Sequence, residues 1–162
     1  MKSLTLLRHA EAVPMAHTND DSQRALTARG QAQARVLGER LRADGWLPQR
    51  ILSSSALRAQ QTAQGVGTAA GWKVRVSMHQ QLYNATPETM IDLLRAEAKS
   101  VERLLVVAHA PGIAELASAL TTRREDLSLV CEPATLIEVV MDIQNWMDLS
   151  PGCASLRRVL PT

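Results

Sequence analysis

Hydrophobic residues over the first 120 positions follow two alternating patterns. Short apolar runs typical of buried strands predict strands at residues 4–7, 50–53, 74–78 and 103–108. Between these runs, apolar residues recur every three or four positions, as in amphipathic helices, and predict helices at residues 27–44, 56–70, about 86–98 and about 111–120. Thr27 and Pro87 are typical helix-start residues, and Gly45 and Gly71 are typical of helix ends. This part of the chain therefore alternates strand and helix.

The remaining residues predict strands without helices between them. Apolar stretches at residues 127–130, 135–141 and 154–159 are separated by turn-forming residues. Strand–helix alternation followed by strands indicates a three-layer α/β/α sandwich, with a mostly parallel sheet and antiparallel edge strands. A chain of 162 residues suits one domain, so we expect residues 1–162 to form a single unit.

One segment, residues 11–25, fits neither pattern. It contains Pro14, His17 and two consecutive aspartates, and it has no apolar periodicity, so we expect it to be a structureless loop. Loops of this length within a compact domain are usually functional. Because the segment follows His9 almost directly, we expect it to form one wall of a pocket at the end of the first strand.

Composition narrows the classes of function. The chain has no Phe, three Trp and one Tyr, so it lacks the aromatic platforms on which single-stranded nucleic acids stack, and its net charge of +2 is small for a nucleic-acid-binding protein. Cys131 and Cys153 have no metal-binding spacing, and we expect no metal and no cofactor. We find no leader sequence and no apolar run of about 18 residues, so we expect a cytoplasmic protein that does not bind membranes.

Basic side chains lie at or just beyond the ends of three predicted strands. Arg8 and His9 follow the first strand, Arg58 follows the second, and His109 follows the fourth. The carboxyl ends of parallel strands meet at one edge of a sheet, where α/β proteins bind ligands. Arginine matches phosphate oxygens, and a neutral histidine can act as a nucleophile. We therefore expect a pocket for a phosphoryl group, in which the charges of Arg8 and Arg58 lower the pKa of His9.

Four sequence blocks resemble, in order, the motifs of a known family. They are Leu7-Arg8-His9-Ala10, Arg24-Ala-Leu-Thr-Ala-Arg-Gly30, Ser54-Ser-Ala-Leu-Arg58-Ala-Gln-Gln61-Thr62-Ala63 and Val107-Ala-His109-Ala-Pro111. The chain resembles the histidine phosphatase superfamily, also called phosphoglycerate-mutase-like, and within it the short SixA-type phosphohistidine phosphatases. The blocks span almost the whole chain, which makes the resemblance far more specific than an Arg-His pair alone.

The resemblance implies a fold, an activity and a role for each site residue. It implies the phosphoglycerate-mutase-like sandwich and a phosphatase that needs no metal. His9 would attack phosphorus through a ring nitrogen and become phosphorylated, while Arg8, Arg58 and His109 would hold the non-bridging oxygens. Water would then hydrolyse the phosphohistidine. The implied partner is a phosphohistidine-bearing phosphotransfer protein.

The chain departs from the family pattern at two places. Ala10 replaces a more frequent glycine, which matters only if this position needs a positive φ. Many family members that cleave alkyl phosphates carry a glutamate general acid where this chain has Leu82-Tyr83-Asn84. Asn84 can hydrogen-bond a substrate but cannot protonate a leaving alkoxide. We therefore expect phosphohistidine, whose imidazole leaves readily, to be the favoured substrate.

Two alternatives to this function stay open. A phosphatase of the same mechanism could act on small phosphate esters, and a phosphate-binding module without turnover would share the pocket. Loss of the nucleophile or of an oxygen-holding residue would favour the module, but all four residues are present. Arg24 also has two interpretations, because it could contact a phosphoprotein substrate or pair with Asp20 or Asp21.

Overall fold

The computed structural model describes residues 1–121, 127 and 131–161. The strands that it describes are β1 (Lys2–Arg8), β2 (Arg50–Ser54), β3 (Val76–His79), β4 (Arg103–Ala108), β5 (Leu136–Met141) and β6 (Ala154–Leu160). The helices are α1 (Ala28–Ala43), α2 (Leu57–Ala70), α3 (Pro87–Glu97) and α4 (Gly112–Leu120). The strand expected at residues 127–130 lies outside the described residues, Leu127 excepted. Within the described residues, no helix is both long and apolar enough to span a bilayer.

The strands form one sheet in the order β3-β2-β4-β1-β5-β6. The first four of these pair in parallel, whereas β5 is antiparallel to both β1 and β6. The sheet is therefore mostly parallel with an antiparallel pair on one side, as predicted. Its parallel part places the carboxyl ends of β1, β2 and β4 at the same edge.

Helices cover both faces of the sheet and complete the predicted α/β/α sandwich. Along β1, Leu4 and Leu6 pack in the cluster that includes α3 and α4, whereas Leu7 packs in the cluster with α1 and α2. This alternation follows from the two-residue repeat of a strand. All three leucines are fully buried. The strand that ends at Arg8 therefore lies at the centre of the core.

Capping residues set the helix boundaries close to their predicted positions. The Thr27 hydroxyl accepts the backbone N–H of Gly30 at the start of α1, and Gly71 ends α2 with a φ of 73°. The predicted start of β3 is wrong by two residues, because its pairing with β2 begins only at Val76, opposite Ile51.

A buried carboxylate, Glu138 of β5, ties together elements that are distant in sequence. It is 1% exposed. Its Oε1 accepts from Ser3 Oγ of β1 at 2.9 Å, from Trp46 Nε1 at 3.4 Å and from Arg157 Nη1 at 3.4 Å. Its Oε2 accepts from Arg158 Nε of β6 at 2.7 Å. The buried charge is thus compensated by hydrogen bonds and cations, as burial requires.

The loop at residues 11–25 is ordered by local hydrogen bonds, so the expectation of a structureless segment is wrong. It contains two short 3-10 turns, Met15–His17 and Asp21–Gln23. Ala12 and Leu26 form an antiparallel bridge where the loop begins and ends. These contacts close the loop at its base.

Candidate active site

The predicted site residues Arg8, His9, Arg58 and His109 meet at the carboxyl edge of the parallel strands. Arg8 at the end of β1 pairs with Ala108 at the end of β4, so the next residue on each strand is a histidine. The rings of His9 and His109 are 5.1 Å apart. Arg58 belongs to the first turn of α2, and its Nε lies 3.3 Å from His9 Nε2.

The His9 imidazole is held in one tautomer. Its Nδ1 lies 2.8 Å from the Ala10 carbonyl oxygen, which can only accept, so Nδ1 carries the proton and Nε2 carries a lone pair. Burial lowers the pKa of His9 to about 4, opposed by the Ala10 bond and assisted by the charges of Arg58 and Arg8. The arginines act in the predicted direction, but burial is the larger cause. His9 is therefore neutral near pH 7.

Thr62 of α2 fixes the backbone that carries His9. Its Oγ1 accepts the Ala10 N–H at 2.9 Å and donates to the Arg58 carbonyl at 2.7 Å. Thr62 and Ala10 are both fully buried. Ala10 does not have a positive φ, so alanine in place of glycine imposes no backbone strain here.

Asp21, in the loop, holds the end of the Arg58 side chain. Arg58 Nη1 donates to the Asp21 carbonyl oxygen at 2.8 Å, and Nη2 donates to Asp21 Oδ2 at 3.1 Å. The Arg58 side chain is only 4% exposed. Arg24 forms an ion pair with the same carboxylate, from Nε to Oδ1 at 3.0 Å, so of its two interpretations the structure favours pairing with Asp21.

His109 is held by Ser54 at the end of β2. Its Nε2 lies 2.7 Å from Ser54 Oγ, while its Nδ1 is buried without a hydrogen-bond partner among the described residues. Burial, with smaller contributions from the neighbouring His9 and Arg58, lowers the pKa of His109 to about 3. Like His9, it is uncharged near pH 7.

Arg8 is anchored from the other side of the pocket. Its Nη1 donates to the carbonyl oxygen of Cys131 at 2.7 Å. Its Nε is buried and has no hydrogen-bond partner within the described part of the chain. Buried N–H groups without partners are rare in folded proteins, so this donor is available to an oxygen of a bound anion.

Tyr83 contacts three of the residues around the pocket. Its hydroxyl donates to Asp21 Oδ2, its ring meets the His109 ring edge-on at 5.5 Å, and the Arg58 guanidinium carbon lies 5.9 Å from its ring centroid. The hydrogen bond between the Tyr83 hydroxyl and the Asp21 carboxylate raises the pKa of Tyr83 and lowers the pKa of Asp21. Near neutral pH the proton therefore stays on Tyr83, and Asp21 is ionised.

Asn84 forms no hydrogen bond with the other described residues. It is exposed and has a φ of 51°. Asparagine tolerates this left-handed conformation better than most residues, which suits it to the turn after Tyr83. Its hydrogen bond to substrate stays a prediction, and the side chain that packs against His109 is that of Tyr83.

Four polar residues have roles in this site that the sequence patterns do not predict. Thr62 and Ser54 stand inside quoted motifs, but nothing in the sequence shows which atoms they bind. Asp21 belongs to the aspartate pair of the loop expected to line the pocket, and Tyr83 is the only tyrosine of the chain. Those two features were the available signals.

The charges of the site suit an anion. Arg8, Arg24 and Arg58 bring three positive charges against the single carboxylate of Asp21, and both histidines are neutral. Guanidinium groups match the oxygens of phosphate-like groups and bind them through charge-assisted hydrogen bonds. Among the described residues there is no group of three or more His, Cys, Asp or Glu side chains that could hold a metal ion.

The fold and the site define a phosphoglycerate-mutase-like protein. The family model for the histidine phosphatase superfamily (branch 1) matches residues 4–87. The uncharacterised protein Rv1276c of Mycobacterium tuberculosis is 33% identical over 142 residues, which cover 84% of this chain and 87% of that protein. The chain belongs to the histidine phosphatase superfamily, branch 1.

Solved structures support the SixA type within this superfamily. The chain is similar to a protein of Agrobacterium tumefaciens provisionally described as phosphohistidine phosphatase SixA, with a TM-score of 0.82, 25% identity and coverage of 99% and 98% of the two chains. The protein histidine phosphatase SixA complexed with tungstate matches with a TM-score of 0.83 at 22% identity, over 98% and 96%. A mycobacterial glucosyl-3-phosphoglycerate phosphatase, Rv2419c, shares the fold with a TM-score of 0.69 at 17% identity, over 96% of each chain.

Proposed function

We propose that residues 1–162 form one phosphatase domain that works through a phosphohistidine intermediate on His9. The observation that carries the proposal is the state of the His9 ring. It is buried and neutral, its Nδ1–H is bound to the Ala10 carbonyl, and its Nε2 lies 3.3 Å from Arg58 Nε. A neutral imidazole in this tautomer has its lone pair on Nε2, where it accepts the Arg58 Nε–H, and it can attack an electrophile once that N–H turns to a phosphoryl oxygen.

The proposed reaction has two displacements at phosphorus. In the first, the Nε2 lone pair of His9 forms a bond to phosphorus while the bond between phosphorus and the leaving group breaks. In the second, water attacks the phosphoryl group on His9, the bond from Nε2 to phosphorus breaks, and orthophosphate is released. Arg8, Arg58 and His109 hold the non-bridging oxygens in both steps. Phosphoryl transfer depends mainly on such positioning and charge stabilisation.

We propose phosphohistidine on a phosphotransfer protein as the substrate. The lowered pKa of Asp21 keeps this side chain ionised, and the raised pKa of Tyr83 makes the phenol a weak acid. His109, with a pKa of about 3, is also unprotonated near neutral pH. A leaving alkoxide would therefore lack a strong proton donor in the pocket, whereas the imidazole of phosphohistidine can take a proton from solvent on its other ring nitrogen and leave as neutral imidazole. The similarity to proteins named SixA supports the same substrate class.

The test is phosphate release, in EDTA, from a phosphohistidine-bearing phosphotransfer protein and from an aryl phosphate. We expect the wild type to release phosphate from the phosphoprotein and His9→Ala to be inactive. His79→Ala is the matched control, because His79 also ends a strand but bonds only to Ser77 among the described side chains. It should retain wild-type activity. Acid-labile phosphate trapped on the wild type, and absent from His9→Ala, would identify the intermediate.

Other outcomes separate the alternatives. If only the aryl phosphate is hydrolysed, and only when His9 is present, the proposed mechanism stands. The substrate would then be a small phosphate ester and not a phosphoprotein. Binding of orthophosphate without turnover of either substrate would leave a phosphate-binding module. Full activity of His9→Ala would overturn the mechanism itself.

A further inference from the structure

The guanidinium group of Arg58 offers two hydrogen-bonding edges, and the loop occupies one of them. The end-on edge, made by Nη1 and Nη2, donates to the carbonyl oxygen and the carboxylate of Asp21. The side-on edge, which includes Nε, is directed at His9 Nε2. A phosphoryl group bound for attack by Nε2 would meet this second edge. One residue of the loop thus fixes which edge faces the reacting atoms.

We propose that Asp21 is the positioning residue for Arg58: it clamps the end-on edge of the guanidinium and thereby presents the Nε edge to the phosphoryl group. The inference rests on the proposed function, since it concerns the arginine that would hold the transferred group. Asp21 itself touches Arg58, Arg24 and Tyr83 and does not contact His9 in the structure.

The clamp is itself held in place from three directions. Arg24 Nε lies 3.0 Å from Oδ1, and the Tyr83 hydroxyl donates to Oδ2. The backbone is fixed as well, because Asp21 begins a 3-10 turn that the Asp20 side chain caps by accepting the N–H of Ser22 at 2.9 Å. A carboxylate held by hydrogen bonds from Arg58 and Tyr83 and by an ion pair with Arg24 has little freedom to rotate, so it can orient its partner.

Burial makes the clamp necessary. The Arg58 side chain is 4% exposed, and a buried cation without a partner is strongly unfavourable. Without the Asp21 carboxylate, Nη2 would lose its acceptor while Nη1 kept the backbone carbonyl, and the guanidinium would rotate or shift to satisfy Nη2 elsewhere. The Nε edge would then no longer be fixed toward His9. Placement errors of about 1 Å are enough to slow a reaction about 100-fold.

A double-mutant cycle tests the proposal directly. Asp21→Asn and Arg58→Met are made singly and together, and kcat/KM is measured with whichever substrate the wild type hydrolyses. We expect Asp21→Asn to lower kcat/KM by about tenfold or more, as for the loss of a charged hydrogen bond. In the Arg58→Met background, Asp21→Asn should lower kcat/KM less than about twofold, because the arginine that Asp21 positions is absent. Tyr83→Phe should cause an intermediate loss.

Asp20→Asn is the matched control. It removes the neighbouring negative charge of the same loop without touching Arg58, and asparagine caps a turn as well as aspartate does. It should leave kcat/KM within about twofold of the wild type. Thermal unfolding of each variant checks that the fold is retained. If Asp20→Asn lowers activity as much as Asp21→Asn, a general charge effect replaces the clamp.

A second readout separates this proposal from the proposed function. The dissociation constant of inorganic phosphate, measured by calorimetry, requires no turnover, so the same cycle can be completed with an inactive protein. We expect Asp21→Asn to weaken phosphate binding only while Arg58 is present. If Asp21→Asn changes kcat/KM and the phosphate dissociation constant by the same factor with and without Arg58, the clamp is wrong. Asp21 would then act independently of Arg58. If the wild type hydrolyses no substrate but the effects of Asp21→Asn and Arg58→Met on phosphate binding depend on each other, the proposed phosphatase activity would be wrong and the clamp would stand.

Discussion

His9 owes its chemical state to the atoms immediately around it. Burial removes the solvent that would stabilise an imidazolium, and the Ala10 carbonyl fixes the proton on Nδ1. The carbonyl bond alone would favour the charged ring, so the balance depends on burial together with the nearby arginines. A nucleophile in this setting stays neutral even well below pH 6. His109 is neutral as well, and its hydrogen-bond partner is the Ser54 hydroxyl where His9 has a backbone carbonyl.

Ser54→Ala should reduce kcat by about tenfold while leaving the protein folded. The substitution removes the Oγ that lies 2.7 Å from His109 Nε2, so the ring loses the contact that sets its orientation. Steady-state kinetics on the preferred substrate measures the effect.

Ser53→Ala is the control for this prediction. Ser53 is also fully buried, but its hydroxyl bonds to the backbone carbonyl of Ser54 and not to the His109 ring. Both variants should lose a little thermal stability, and only Ser54→Ala should lose activity. Equal kcat values for the two variants would show that His109 does not depend on Ser54 for its orientation.

At the scale of elements, the loop at residues 11–25 is docked on the first turn of α1. The Glu11 carbonyl accepts the Thr27 N–H at 3.0 Å, and the Thr27 hydroxyl donates to Glu11 Oε1 at 2.8 Å. Gly30 permits this approach, because a Cβ at that position would lie 2.0 Å from the Glu11 carbonyl oxygen. The loop that carries Asp21 is therefore positioned partly by a residue of α1.

Gly30→Ala should destabilise the protein by about 1–3 kcal/mol, the usual range for overpacking a tight site. The clash is with backbone, which cannot move aside as a flexible side chain can. Urea unfolding measures the change. Gly67→Ala is the control. Gly67 lies in the interior of α2, and a Cβ at this position would be 3.9 Å from its nearest neighbour, an atom of the Trp72 ring. That substitution should be neutral or stabilise by up to about 1 kcal/mol. Equal stability of the two variants would contradict the close approach at Gly30.

The elements were predictable to different degrees for physical reasons. The sheet and helices follow from periodicity and caps, and parallel pairing brings Arg8, His9 and His109 to one edge without further information. The Asp21 contact depends on how an aperiodic loop folds back, which no repeat encodes. The contacts of Tyr83 with His109 and Asp21 likewise depend on the geometry of a turn, which local sequence does not determine.

At the scale of the whole molecule, the buried histidines link stability to pH. The folded protein holds His109 with a pKa of about 3, whereas the unfolded chain has the ordinary value of 6.5. Between these values the unfolded state binds more protons, so stability falls as pH is lowered through this window. His9 acts in the same direction, from 6.5 down to about 4.

His109→Gln should reduce this pH dependence. On lowering the pH from 7 to 5, the wild type should lose about 2 kcal/mol more unfolding free energy than the variant, which lacks one such group. Urea unfolding at the two pH values measures the difference. Parallel losses in both proteins would mean that folding does not lower the pKa of His109.

The Glu138 cluster has a consequence for how the chain can acquire its structure. Glu138 lies beside β1, but the two arginines that compensate its charge belong to β6, which follows β5 in the chain. A nascent chain that has reached only β5 would have to place a carboxylate in the sheet without a cationic partner, at a cost of about 3–5 kcal/mol. We expect β1, the strand that directly precedes His9, not to fold stably during translation until Arg158 has left the ribosome. A functional nucleophile would then appear only after β6 has been synthesised.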